Sequence, residues 1–194
     1  MRKTVLIFLI LLVLHPTAEA QTAREFYSRS LEINRTGMVF LGGWAVANMA
    51  IGTWGWIRYD NDIRYFHQMN AAWNLVNAGI ATYALITIHR PDLSELSDHE
   101  MMRRHRRDEK LFLINAGLDL VYITGGILMW NASERSNTKE DWLKGYGQSL
   151  IIQGAFLFVF DLAKFGIQYH RRQNFLQDAR LGFSPRGLTL FLSL

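Results

Sequence analysis

Two carboxylates stand where a carboxylate is costly. Asp119 interrupts the otherwise uncharged stretch Leu111–Trp130, and Asp161 sits inside the largely apolar stretch Gly145–Tyr169. An ionised carboxylate in an apolar medium carries a penalty unless it is paired, so Asp119 must be protonated, hydrogen-bonded or facing water. Helical spacing puts Asn115, Asp119, Tyr122 and Gly126 on one face, and Gln153, Leu157, Asp161, Lys164 and Gln168 on another. Asp161 has a local candidate partner in Lys164, three residues on. Asp119 has none nearby, and a polar cavity lined by it, by amides and by His67 would bind an ion or a small polar ligand.

The amides are at hand. Asn48, Asn77, Asn115 and Gln153 each fall inside one of four long stretches nearly free of charge, and Asn70 and Asn74 precede Asn77 at helical spacing. In the first stretch Gly37, Leu41, Trp44, Asn48, Gly52 and Gly55 share a face; in the second Asn70, Asn74, Asn77, Ala81 and Ala84 do. Small residues let helices approach, and amides hydrogen-bond across them, so the same residues also read as glue for a bundle or a dimer. The two readings, glue and ligand site, stay open together. Other chemistry is weakly marked. His99 and His105 are six residues apart and do not share a helical face, and there is no cysteine, hence no thiolate ligand, cysteine nucleophile or disulfide. Neither a glycine-rich phosphate loop nor a nucleophile elbow is present, and no cofactor or metal is expected.

The elements that must carry these residues are helices. About 20 apolar residues cross the roughly 30 Å hydrocarbon core of a bilayer. Four stretches qualify on that ground: 36–57 and 67–88, which lack any acidic residue, lysine or arginine, and 111–130 and 145–169, which each hold the aspartate named above. The expected fold is all-α, a four-transmembrane-helix bundle. Before it, Arg2 and Lys3, the apolar run Val5–Leu14 and Ala18-Glu19-Ala20 read as a signal peptide over 1–20. After it, the tail 173–194 ends in alternating residues from Leu188 to Leu194, a short β-like or interfacial segment. Gln21 to Arg35 reads as an amphipathic lead with Glu25 and Arg29 spaced for an ion pair. Pro91 stops the second helix, and Ser97 and Glu100 fit a capping box that starts a helix running through the basic stretch Arg103 to Arg107 into the third span. That stretch can bind anionic head groups, though Asp98, Glu100, Asp108 and Glu109 offer local pairs.

Composition limits the partners. The net charge of +4 is too small and too interspersed for nucleic acid, which leaves membrane lipid, a second copy or another membrane protein. Trp54, Trp56, Tyr59, Tyr65, Trp130, Trp142 and Tyr146 gather at one end of the expected bundle, as an interfacial belt does. An internal echo runs through the helices: a shift of 29 residues lays Trp44, Asn48, Ile51 and Thr53 on Trp73, Asn77, Ile80 and Thr82, and shifts of 38 carry Asn77 to Asn115 and then to Gln153.

The runs Ile33 to Met38, Leu41 to Ala45 with Asn48, and Tyr65 to Asn70 with Trp73, Asn74 and Asn77 resemble an uncharacterised family of small bacterial membrane proteins, a domain of unknown function. The likeness covers about residues 30 to 165. It implies a bacterial envelope protein and makes His67, Asn70 and Asn74 worth testing; it implies no activity. With four spans, the expected location is the bacterial cytoplasmic (inner) membrane, multi-pass. The expected role is therefore a structural or interaction component of the bacterial envelope, the alternative a small transporter or polar-ligand-binding protein built around Asp119, with an enzyme acting on lipid third. Orientation is contested. A cleaved signal puts both termini outside, whereas the 13 lysines and arginines on the terminal side against 5 on the other put them in the cytoplasm.

Overall fold

The computed structural model describes residues 22–88, 92–136, 138–181, 183–184 and 187–188. The expected signal peptide, Pro91 and the alternating residues after Leu188 lie outside the described residues. Four helices make up the described chain: α1 (Ala23–Arg58), α2 (Asn61–Thr87), α3 (Asp98–Ser133) and α4 (Glu140–Leu181). A two-residue antiparallel pair, Phe183–Ser184 with Gly187–Leu188, follows.

Helix starts are set by short polar side chains. Thr22 caps α1 with a complete capping box, its hydroxyl accepting from the Glu25 amide while Glu25 accepts from the Thr22 amide. Glu25 is thus engaged in the cap; the expected pair with Arg29 does not form. At α3 only half of the expected box exists. Ser97 accepts from the Glu100 amide, but the Glu100 carboxylate turns to Arg103 and Arg104. The α1–α2 connection is two residues, Tyr59 and Asp60, so α2 begins six residues ahead of the expected span. Asn61 opens α2 with φ 56°, a left-handed conformation that asparagine tolerates better than most residues.

Two helical hairpins, α1–α2 and α3–α4, pack side by side through α2 and α4. Glycines set the closest approaches. A Cβ on Gly126 of α3 would lie 2.6 Å from the Gly147 carbonyl oxygen of α4, and one on Gly52 of α1 would lie 2.8 Å from the Ala71 nitrogen of α2. By contrast α1 and α4 seldom meet through their backbones, and long side chains bridge the space between them.

The interior is polar and the exterior apolar. Along α4 the buried line reads Ser149, Gln153, Leu157, Asp161, Lys164, Gln168; the apolar core cluster itself is small, built on Leu41, Ala81 and Leu157. Outward stand Val46 at 64% exposure on α1, Leu75 at 62% on α2, Val121 at 64% on α3 and Val159 at 66% on α4. Two of the four helices, α3 and α4, are long and apolar enough to cross a membrane, with windows of mean hydropathy 1.7 and 1.8. The sequence reading expected all four. Freedom from charge is not hydrophobicity: the tryptophans, glycines, threonines and asparagines of α1 and α2 dilute their apolar residues.

Candidate functional site

The amides expected on α2 are buried together. Asn70, Asn74 and Asn77 are each 4% exposed or less, as the i, i+4, i+7 spacing of one helical face requires. Asn74 donates to the Asn70 carbonyl one turn back (2.9 Å) and to its side-chain oxygen (3.2 Å), and Asn77 donates to the Asn74 side-chain oxygen (3.4 Å). Asn70 is the hub. Its Nδ2 donates to the Asn48 carbonyl on α1 (3.2 Å), and its Oδ1 accepts from Gln153 Nε2 on α4 (2.5 Å). Gln153 Oε1 in turn accepts from Trp44 Nε1 on α1 (3.4 Å), whose ring stacks on Phe156 at 3.8 Å. Three helices are tied by neutral groups whose donors and acceptors largely satisfy one another. Asn48 keeps its side chain on its own helix, donating to the Trp44 carbonyl.

Asp119 and Asp161 form a second centre. Both are buried, Asp119 on α3 and Asp161 on the packed helix α4, near enough for each side chain to act on the other. Asp119 Oδ2 has no N–H or O–H donor among the described side chains. The expected local pair of Asp161 with Lys164 does not form. Lys164 Nζ reaches across to α1 and donates to the Ile33 carbonyl (2.7 Å), passing over Gly37, where a Cβ would lie 2.9 Å from it. Asn115, expected beside Asp119, is exposed and lines a cavity of about 540 Å³ between α1, α2 and α3. Its neighbour Ala116 takes the buried position in its place. His67 lies apart from the carboxyl pair, stacked on Tyr59 and packed against Gly55, its Nδ1 buried without a partner.

A third centre, at the end where α1 begins and α4 ends, was not foreseen. Arg172 Nε donates to both oxygens of Glu109 (3.0 and 2.9 Å), and His105 Nε2 lies 3.3 Å from Glu109 Oε1 without the alignment of a hydrogen bond. Gln168 Nε2 donates to Asn34 Oδ1 (2.9 Å) and the Ser30 carbonyl (3.2 Å), and Asn34 donates to Asp108 Oδ2 (3.2 Å). The His105 ring meets Phe26 edge-on at 4.7 Å. Burial pushes the His105 imidazole below its ordinary range, Glu109 pulling the other way; burial likewise pushes the Asp108 carboxyl up against the opposing charges of Arg107, Lys164 and Arg104. Two signals in the sequence pointed here, the His105/Glu109 spacing of four and the continuation of the α4 stripe through Gln168 to Arg172.

The described residues contain no cluster of three or more histidine and acidic side chains able to hold a metal ion. What the three centres offer chemically is hydrogen bonding and titratable groups held away from water. With that geometry set out, comparison places the chain in a family: residues 40–162 match the model of the Family of unknown function (DUF6992), so the chain belongs to that family. No curated protein and no solved structure matches it. The match spans the amide ladder and the carboxyl pair; Gln168, Arg172 and the start of α1 fall outside it.

Proposed function

We propose that the chain is a four-span protein of the bacterial cytoplasmic membrane with a structural or assembly role, its helices joined by the amide ladder. One observation carries this reading: the inverted polarity of the bundle. Valines, leucines and isoleucines of all four helices face outward, while Asn70, Asn74, Gln153 and Gln168 are buried. In water such an exterior is an aggregation liability; in lipid it is the solvated face, and the inward amides find one another because hydrocarbon offers them no partner. The weaker apolarity of α2 fits the same reading, since its Asn70 is bonded both to α1 and to α4. The absence of cysteine supplies the test. Single cysteines at Ser94 and Ser136, treated in intact cells with a membrane-impermeant thiol reagent, label at Ser94 alone if the termini lie outside. Labelling at Ser136 alone reverses the orientation, and labelling at both removes the four-span reading.

The burial of Asp119 and Asp161 on packed helices favours a second reading, a polar-ligand site inside the bundle. Asp119→Asn keeps a hydrogen-bonding group there and removes the carboxyl. Loss of a ligand-dependent thermal stabilisation in that variant would support the second reading; an unchanged fold and unchanged response would leave the pair as packing.

A further inference from the structure

A groove of about 580 Å³ runs between α1 and α4, where the two backbones stay apart. Its upper part holds three cations, Arg29 and Arg171 at the terminal end and Lys164 one to two turns below. Its walls below the arginines are apolar, with Ile167 48% exposed one turn below Arg171 and Phe40 60% exposed farther down α1. Arg29 and Arg171 form no ion pair among the described residues, and Glu32, on the same rim, pairs with none of the three. The two arginines stand close enough for the charge of Arg29 to act unfavourably on Arg171, whose guanidinium also lies over the Phe26 ring at 5.6 Å. Other basic groups at this end are matched only in part, Arg172 by Glu109 and Arg103 and Arg104 by Glu100. Two unneutralised guanidinium groups above an apolar wall lack one thing, an anion with a hydrocarbon tail.

We propose that this groove binds an anionic phospholipid, its phosphate between Arg29 and Arg171 and an acyl chain along Phe40 and Ile167. Guanidinium groups recognise phosphate by paired, charge-assisted hydrogen bonds, and the apolar wall continues in the direction in which a lipid's chains extend from its head group. Lys164 already donates to the Ile33 carbonyl, so it closes the floor of the site and adds positive charge without leaving its partner. The inference rests on the membrane reading above, and the lipid would seal the space that the helices leave between α1 and α4.

The test uses the full chain extracted in detergent, with phosphatidylglycerol, phosphatidylcholine and inorganic phosphate as probes, read by native mass spectrometry and thermal denaturation. Retention and stabilisation by phosphatidylglycerol over phosphatidylcholine are expected. Arg29→Gln with Arg171→Gln should reduce that preference on the order of thirtyfold, from about 1 kcal/mol for each basic residue at an anionic surface. Arg29→Gln alone, at an exposed position, should lose about half of that in free energy and keep the fold. The pair Arg103→Gln and Arg107→Gln, in the exposed basic stretch of α3, should leave the preference intact. Equal loss in that control, an unchanged preference in the double variant, or equal stabilisation by inorganic phosphate would each overturn the lipid site. A chain recovered with the membrane but blind to lipid charge sinks this inference alone; one recovered in the soluble fraction sinks the membrane reading with it.

Discussion

Mid-bundle, Asn70 and Gln153 bury neutral amides that bond to each other; toward the terminal end, Glu109 and Arg172 bury opposite charges, with His105 alongside. The amide ladder is indifferent to pH and loses little charge solvation when buried. The terminal layer carries formal charge, costs more to bury and responds to protonation. That division follows depth in the expected membrane, neutral amides where hydrocarbon is thickest and ion pairs near the surface where water relieves them. The carboxyl residues Asp119 and Asp161 are the exception, two titratable groups buried at mid-depth.

The comparison breaks most readily at Glu109. Glu109→Ala strands Arg172, whose side chain is 15% exposed, and removes the acceptor nearest His105; the expected loss is roughly 3 kcal/mol, the lower end of the range for a broken buried pair. Chemical denaturation of the detergent-solubilised protein measures it, and Glu109→Gln should recover part through a neutral acceptor. Equal stability in Glu109→Ala would show that the terminal layer contributes no more than a surface pair.

A smaller loss is expected in the ladder. Asn70→Ala removes the acceptor of Gln153 and the donor to the Asn48 carbonyl, for about 1 to 2 kcal/mol, because amide contacts between membrane helices average less than 1 kcal/mol each. A double-mutant cycle with Gln153→Ala isolates their direct coupling. A coupling near zero would make the 2.5 Å contact incidental.

The smallest effect is the pH response of His105. Burial favours its neutral form, so above the ordinary imidazole value, about 6.5, folded and unfolded chains are both neutral there and nothing changes. As pH falls through that value the unfolded chain takes up a proton first, and stability declines until the lowered folded value is reached. The Asp108 carboxyl, pushed up by burial, works in the other direction: as pH rises above the ordinary carboxylate range the unfolded chain releases its proton first, and the fold loses stability. Subtracting the His105→Phe profile from that of the parent isolates the imidazole. A difference that does not grow as pH drops from 7 toward 5, a window around that ordinary value, would mean that His105 is protonated in the fold.

Much of the bundle was legible because it is local. The stripe Gln153, Leu157, Asp161, Lys164, Gln168 is buried along its whole length, and so are Asn70, Asn74, Asn77 and Ala81, since spacing along one helix determines which residues share a face. Partnership was not legible. Lys164 is three residues from Asp161 but bonds to Ile33, 131 residues away, because Gly37 opens a path across to α1. Asn115 matched the internal echo yet misses the interior, one residue out of phase with the buried line through Phe112, Ala116 and Asp119. Glu109 and Arg172 are 63 residues apart, and only the rotation of α3 against α4, held by glycines such as Gly126 and Gly147, brings them together. Axial rotation and register between helices belong to the assembled packing, which no single helix encodes.

On the four-span reading proposed above, the two-residue link between α1 and α2 bears on how the chain would enter a bilayer during synthesis. α3 and α4 are apolar enough to leave an insertion channel one at a time; α1 and α2 are not. With only Tyr59 and Asp60 between them the two helices would enter together, and α1 on its own would lack the contact of Asn70 with its Asn48 carbonyl. On that reading the first half of the protein inserts as a hairpin rather than one helix at a time.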